Sequence, residues 1–600
     1  MGFRRLAAGL VATALALLGA STATGAGAPT AHAADQKVLR VAVTTTVASL
    51  NPFLASHAAD TEFGRLMYEF LTADDQKDQH PIGGLADKWD VAKDNLTWTF
   101  HVRDGMTWSD RQPITSRDIA YTYNLMLTNP TAGTANGNFV KNFDTVTAPD
   151  EHTVVIKTKR PQATMLALDV PIVPEHVWSK VTDIGKYTNL QFPVVGSGPF
   201  VLTDYKQDQY ATLKANPTFF RGRPAIDELQ FIHYDNPDAA VQGLLKGDVD
   251  LVSRLTPAQF NALQGKPNIA LNKAQGHRLN DLLINPGAQT NTHERIGDGN
   301  PALADVTLRQ AIAQAIDAKT LVDKVYGGYA EVGSGYIPPV FSQYHWSPPA
   351  DQERGFDLAA ANRTLDAAGY PKGTDGIRVD KTGKPLTLRL LGDSGTATDQ
   401  PSSQYVKSWL GQIGIGVDVQ MVSSDKFSDA GVAGRYDLAF GSWGANPDPD
   451  AVLAVQTCAN LPDAAGNGNS ENFLCDPDYE RLYAEQSAEL DTAKRAEIVK
   501  QMQARLYELD TSVITAYPNQ LEAYRSDHVT GFGLQPDPGG VITQQNGYWG
   551  YYYAKPAAAA EQSAGAGLGL LIGIAVAVVL VAGAALLVVR RRRVNADERE

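Results

Sequence analysis

Two cysteines are all that 600 residues contain, and their scarcity removes whole classes of protein. A disulfide-dense scaffold needs several bridges, and structural zinc sites favour the Cys-x-x-Cys pairing that Cys458 and Cys475 lack. Basic charge is also short. The chain has 52 Lys and Arg against 66 Asp and Glu, for a formal charge of −14. Residues 1–33 and 568–600 each carry +2, so the body between them carries −18. Such a body lacks the positive footprint that nucleic acid or an anionic lipid surface requires.

Enzyme signatures are missing as well. The sequence has no His-Glu-x-x-His, no phosphate-binding Gly-x-x-x-x-Gly-Lys-Ser/Thr and no Gly-x-Ser-x-Gly. The eleven histidines have no ligand spacing, so neither metal nor cofactor is expected. Gly392-Asp393-Ser394-Gly395 resembles the nucleophile segment of trypsin-like proteases, but its Gly/Ser/Asp content also suits an ordinary turn. A secreted serine hydrolase using Ser394 is therefore a remote alternative.

Hydrophobic residues at 43% and charged residues at 20% describe a globular chain, and its length exceeds the roughly 250–300 residues at which single cores stop growing. The two ends differ from the body. Arg4 and Arg5, the apolar run from Leu6 to about Ala20 and the small residues Ala31-His32-Ala33 form a signal-peptide pattern, with cleavage expected after Ala33. Leu568 to Val589 is a 22-residue uncharged apolar run followed by Arg590 to Arg593. At about 1.5 Å per residue it can cross a hydrocarbon core, with the arginines on the cytoplasmic side. The expected organisation is a single-pass membrane protein with an extracellular body, a linker at 554–567 and a cytoplasmic tail at 590–600. No cysteine ends the signal segment, so no lipid anchor is expected there, and no Leu-Pro-x-Thr-Gly sorting motif precedes the span. Outside the membrane, Cys458 and Cys475 are expected to form a disulfide, with free thiols or a metal site as the alternatives.

Within the body, strand-like runs at Val38–Val43, Leu96–Val102, His152–Lys157 and Leu386–Leu391 alternate with helical runs. Helical spacing marks Leu308, Ile312, Ile316 and Ile498, Met502, Arg505, Leu509, and further helices are expected over Asp118–Leu127 and Leu358–Ala368. The mixture predicts an α/β architecture. Gly105 and Gly196 are read as positive-φ turn glycines. Gly243 to Asp250 reads as a helix end feeding a strand. Tyr68, Trp89, Trp98 and Phe100 are read as core.

Longer blocks carry a resemblance. Met67-Tyr-Glu-Phe-Leu71, Pro81 to Trp89, Leu96 to Gly105, Trp108 to Thr115 and Asp118-Ile119 resemble the opening signature of the bacterial family 5 solute-binding proteins of ABC importers, the dipeptide, oligopeptide and nickel group. Pro174 to Trp178, Gly196 to Phe200, Asn216 to Gly222, Gly243 to Asp250, Arg309 to Asp317, Ile337 to Pro339, Ala360 to Gly369 and Tyr436 to Trp443 continue the series in order. The resemblance spans about residues 37–550.

It implies a two-lobed periplasmic-binding-protein fold with an extra subdomain. Lobe I would comprise 34–285 with a subdomain at about 81–190 and a return over 526–553, and lobe II would comprise 286–525. It also implies a protein that binds di- to oligopeptides between the lobes and docks on an ABC permease; a monomer is expected, and the expected tether by a single helix suggests a Gram-positive type of cell. An oligosaccharide ligand or a peptide-sensing receptor are the alternatives, although a tail of seven residues after Arg593 is too short for a signalling domain.

The segment Gly441 to Asp450, crowded with Gly and Pro, is read as a loop at a strand end, where crevices form in α/β folds. In peptide-binding members of the resembled family, an aspartate three residues after the tryptophan pairs with the peptide α-amino group. Here Asn446 stands at that position, leaving Asp448 as a substitute. Trp443 would either stack on the ligand or pack in the core. Ser49 and Leu50, in the Thr44–Asn51 segment, are further expected ligand contacts.

Overall fold

A computed structural model describes residues 37–557 apart from Ser56 and Glu471. Two large mixed sheets dominate it. In the seven-stranded sheet the order is Ile269–Ala274, Gln520–Arg525, Leu251–Val252, Val38–Val43, Glu228–His233, Tyr210–Ala215 and Phe200–Lys206. In the six-stranded sheet the order is Ala330–Val332, Ser512–Pro518, Arg278–Ile284, Leu438–Gly444, Thr387–Asp393 and Gly416–Val422. Each sheet anchors one lobe of a two-lobed α/β fold.

A third, antiparallel sheet of four strands joins the first lobe, in the order Ala86–Val91, Thr97–Val102, Thr153–Thr158, Phe143–Asp150. Thr97–Val102 shows why it forms. Trp98, Phe100 and Val102 alternate inward into the core while the residues between them face outward, the period-2 pattern of a one-sided sheet. The helix Ser116–Thr128 covers this sheet with Ile119, Ala120, Tyr123 and Met126, which share one face at helical spacing. Thr115 and Asp118 cap it reciprocally, and the Thr115 N–H donates to Asp118 at 2.9 Å.

The chain passes between the two large sheets twice, at Gln275–His277 and at Asn519. These crossings lie side by side. A Cβ on Gly276 would fall 2.0 Å from the Pro518 carbonyl oxygen, so only glycine lets the two backbones approach. The Asn519 amide donates to the Ala274 carbonyl at 3.1 Å, tying one crossing to the other. The expected lobe divisions after residues 285 and 525 are displaced from these crossings. Arg278–Ile284 pairs only within the six-stranded sheet, and Gln520–Arg525 lies inside the seven-stranded one. The strand-like character of both segments hid the sheet to which each belongs.

The helix Pro237–Lys246 ends at Gly247, with φ +83°, and leads to the strand Leu251–Val252 as its composition predicts. Asp250 is more than part of a turn, because it is buried and accepts two guanidinium hydrogen bonds from Arg40. Gly105 has φ +72°. Gly196 does not adopt positive φ; it is a close-approach glycine, where a Cβ would fall 2.2 Å from the Met67 carbonyl oxygen. Both ends of the described chain leave from the first lobe. The Lys37 N–H donates to Asp227, and Lys555–Pro556 pairs with Val529–Thr530.

Among the described residues, no helix is long and apolar enough to cross a membrane. The expected signal peptide at 1–33 and the span Leu568–Val589 lie outside the described residues.

Candidate functional site: a cleft between two lobes

Two hollows open between the lobes and share Asp74, Leu166, Ala167, Pro447 and Asp448, so they form one cleft. The inner chamber has only about 70 Å³ of water-accessible space, the outer hollow about 440 Å³. The lobes are in contact around it, and Leu490 of the second lobe packs against the core of the first.

The first wall comes from a small hairpin. Thr72–Asp74 pairs antiparallel with Pro81–Gly83 and is rooted by the buried Leu71 and Thr72. From behind, the Trp549 indole donates to the Asp74 carbonyl at 3.0 Å. The Asp74 side chain lines both hollows, and among the described residues no hydrogen bond or ion pair engages its carboxylate. Burial, reinforced by the neighbouring negative charge of Asp169, pushes it up to about 8. Beside it, Asp169 is held by Arg65 at 2.6 Å. Glu69 is fully buried beside Tyr548. Burial pushes this carboxyl up to about 7, against the opposing pull of the Arg221 charge and the Tyr548 hydroxyl.

The second wall is built differently. After the strand Leu438–Gly444, the segment Asn446–Asp450 turns into the cleft and opens the short helix Asp450–Ala454. Asp448 accepts both arms of the Arg495 guanidinium, at 2.6 and 2.9 Å, in a bidentate charge-assisted pair. Arg495, almost wholly buried on the helix Thr492–Leu509, also donates to Gln486, which donates in turn to Asp450 at 2.7 Å. Burial raises Asp450, with the nearby Asp448 charge as the second cause. The carboxylates of this wall are therefore occupied from within their own lobe.

The expected contacts divide accordingly. Asn446 and Asp448 line the inner chamber. Trp443 does not line either hollow. It belongs to the strand rather than to a following loop, opposite Leu279, and is partly buried against the core around Leu279, Tyr336 and Leu453. Ser49 and Leu50 are not brought to the cleft. The Ser49 hydroxyl accepts from the Asn51 N–H at 3.1 Å, and Leu50 is buried in the lobe core with its carbonyl held by Asn189. Asn51 draws this segment inward by donating to the Ile184 and Tyr187 carbonyls. Sequence reasoning missed Asp74, Arg65, Asp169 and Asn546. The one available signal was the acidic pair Asp74-Asp75 directly after the Met67–Leu71 block.

Cys458 and Cys475 form a disulfide behind the second wall, closing the segment that follows Asp450–Ala454. Ser394 occupies an exposed turn after the strand Thr387–Asp393, where Asp393 accepts from the Ser424 hydroxyl. No histidine contacts this turn among the described residues, so nothing there activates a nucleophile.

Known proteins share this architecture. The chain is 27% identical over 516 residues to di/tripeptide-binding protein 4 of Pseudomonas aeruginosa, covering 80% of this chain and 88% of that protein. Di/tripeptide-binding protein 2 of the same species is 25% identical over 481 residues, covering 76% and 84% respectively. Among solved structures, the oligopeptide-binding protein AppA of Bacillus subtilis, in complex with a nonapeptide, superposes with a TM-score of 0.68 at 20% identity. It covers 87% of this chain and all of AppA, at 100%. NikZ of Campylobacter jejuni, in complex with Ni(L-His), superposes with a TM-score of 0.72 at 21% identity, covering 87% of this chain and 99% of NikZ. The family model for the middle region of the bacterial extracellular solute-binding proteins, family 5, matches residues 80–460. With that match, two lobes joined by two adjacent crossings and a cleft between them, the chain belongs to the bacterial extracellular solute-binding proteins of family 5.

Proposed function

We propose that this protein is the solute-binding component of an ABC importer, closing its two lobes on a peptide and delivering it to a permease. The observation that carries this reading is the interlobe cleft, with a narrow chamber and a wider hollow, in a chain whose relatives include di/tripeptide-binding proteins. The two crossings at Gln275–His277 and Asn519 supply the hinge. Lobe I is taken as 37–274 with 520–557, including the four-stranded sheet as its subdomain, and lobe II as 278–518. Of the ligand contacts expected from the sequence, Asn446 and Asp448 are retained. Trp443 supports the strand from which they project.

The sequence supports a further element of this reading. The run Leu568–Val589 with Arg590–Arg593 is proposed as a retained single-pass anchor, and residues 1–33 as the export signal. Such an anchor would keep the binding protein at high effective concentration near its permease. The protein acts as a monomer in this scheme. Detection in the soluble fraction of intact cells would overturn the anchor.

Thermal melting of the full-length protein in detergent, with panels of di- to oligopeptides and of sugars, tests the ligand class. Peptides at 100 times Kd should stabilise it by about 2.7 kcal/mol. Stabilisation by sugars alone would overturn the peptide reading.

A further inference from the structure

The six-stranded sheet of the second lobe has an unfinished edge. Its outer strand Ala330–Val332 pairs with Pro518, Tyr517 and Ala516, and the Gly333 N–H then donates to the Thr515 carbonyl at 3.2 Å. Gly333 sits tight against the next carbonyl, where a Cβ would fall 2.4 Å from the Ile514 oxygen, and there the chain turns away. The remainder of the neighbouring strand, Ser512 and Val513, pairs with Leu283 and Leu282 on one side and has no strand on the other. Successive backbone groups of a strand point to opposite sides, so one of these two residues turns its N–H and C=O outward, away from the sheet.

This stretch lies in a groove with about 470 Å³ of water-accessible space, which shares no lining residue with the interlobe cleft. Val332 at 48% and Phe356 at 44% line it, and they are the two most exposed large hydrophobic side chains among the described residues. The charges of the groove do not balance. Arg354 is held by Asp510 at 2.8 Å and stacks on the Tyr507 ring, and Lys319 is held by Asp323 at 2.6 Å. Asp317 and Glu353 line the same groove, and neither has an ion-pair partner among the described residues. An open sheet edge is a liability that folds blunt with charge, as the exposed Asp418 does on the opposite edge strand, Gly416–Val422. Here the open edge is instead flanked by exposed apolar side chains.

We propose that this groove docks an extended segment of a partner protein, one that alternates apolar with basic side chains and continues the edge strand of the second lobe. The backbone of that segment completes the pairing that Ala330–Val332 leaves unfinished, the mode of recognition by strand addition. Its alternate side chains separate onto two faces. The apolar ones pack against Val332 and Phe356, and the basic ones answer Asp317 and Glu353. Because the groove is separate from the interlobe cleft, the partner docks without displacing the solute.

The test uses the full-length protein in detergent and the probe acetyl-Lys-Val-Lys-Val-Lys-Val-amide. Backbone hydrogen exchange should slow at Ser512–Val513 when the probe is added and stay unchanged at Asn446–Asp450 in the cleft. Two further probes, N-methylated at alternate residues, ask whether the backbone pairs. One should bind roughly 10-fold or more weakly and the other nearly as well, because only one edge of an added strand faces the sheet. Glu353→Lys, at an exposed position, should weaken the parent probe by roughly 2- to 5-fold. Slowing confined to Asn446–Asp450 would put the probe in the cleft and overturn the groove, leaving the peptide reading intact. Equal losses with both methylated probes would overturn strand addition. Exchange at Ser512–Val513 that slows with protein concentration alone would make the occupant a second copy of this chain and overturn the partner. Absence of any binding would overturn the proposal outright, and the wild-type measurements decide it without a variant.

Discussion

The two walls of the cleft are both acidic, yet they treat their charge in opposite ways. On the second lobe, Asp448 is clasped by Arg495, and Gln486 and Asp450 complete a network closed on itself. On the first lobe, Asp74 faces the same chamber with no hydrogen bond or ion pair at its carboxylate among the described residues, while Glu69 is buried beside the Tyr548 hydroxyl and the Arg221 charge. A carboxylate paired in the unliganded state contributes to stability, whereas an unpaired one withholds its interaction until a ligand arrives. One wall is thus a framework closed on itself and the other leaves a carboxylate open to the cleft, although the recognisable signature of the family, Tyr436 to Trp443, leads to the framework.

Breaking the framework should have the largest effect. Arg495→Ala removes a buried guanidinium and leaves the half-buried Asp448 without its cation, and a loss of about 3 kcal/mol is expected in urea unfolding. A loss below about 1 kcal/mol would show that the two walls are alike. The disulfide backs the same wall. Replacing Cys458 and Cys475 by Ala should cost about 3 kcal/mol, since the closed loop spans 17 residues. The same unfolding measurement reads this, with undiminished stability as the contrary result.

Between the walls lies the hinge. Gly276→Ala drives a methyl group against the Pro518 carbonyl, with an expected loss of about 1–3 kcal/mol and weaker ligand binding. Small-angle scattering should show a smaller ligand-induced contraction than in wild type, and an unchanged contraction would move the hinge elsewhere. The smallest effect belongs to the first-lobe wall. Because folding raises the Asp74 carboxyl from 3.8 to about 8, its contribution to stability is full below pH 3.8 and is lost as pH rises through 8. Asp74→Asn, which removes that titration, should therefore melt roughly 1–2 °C above wild type at pH 9 and lose the advantage at acidic pH. A lower melting temperature at pH 9 would mean that Asp74 is held by its own fold.

Legibility in the sequence followed the same division. Alternation exposes Thr97–Val102, because its inward face is wholly apolar. The helix Thr492–Leu509 is recognisable from its spacing, but its buried stripe lies out of phase with Ile498, Met502, Arg505 and Leu509. Arg495 and Gln503, both polar, occupy the inner face with Ala496, Val499, Met502 and Leu506. Gly441, Ser442 and Gly444 around Trp443 disfavour strands in isolation, so its sequence reads as a loop. Cross-strand pairing with Arg278–Ile284 overrides that preference. Asp74 was illegible for a different reason. Its meaning depends on the absence of partners, and on Asp448 and Asn546 arriving from hundreds of residues away.

The order of strands in the first sheet has a consequence for how the protein is made. Gln520–Arg525 is an interior strand, lying between Ile269–Ala274 and Leu251–Val252. A chain emerging from its amino end therefore reaches residue 519 with a gap in that sheet, while the strands of the six-stranded sheet, from Arg278 to Pro518, are already complete. Topology thus imposes a schedule in which the inserted lobe can fold first, and the lobe that begins the chain is finished last. Until the final strand arrives, the edges of Ile269–Ala274 and Leu251–Val252 remain open to pairing with the wrong partner.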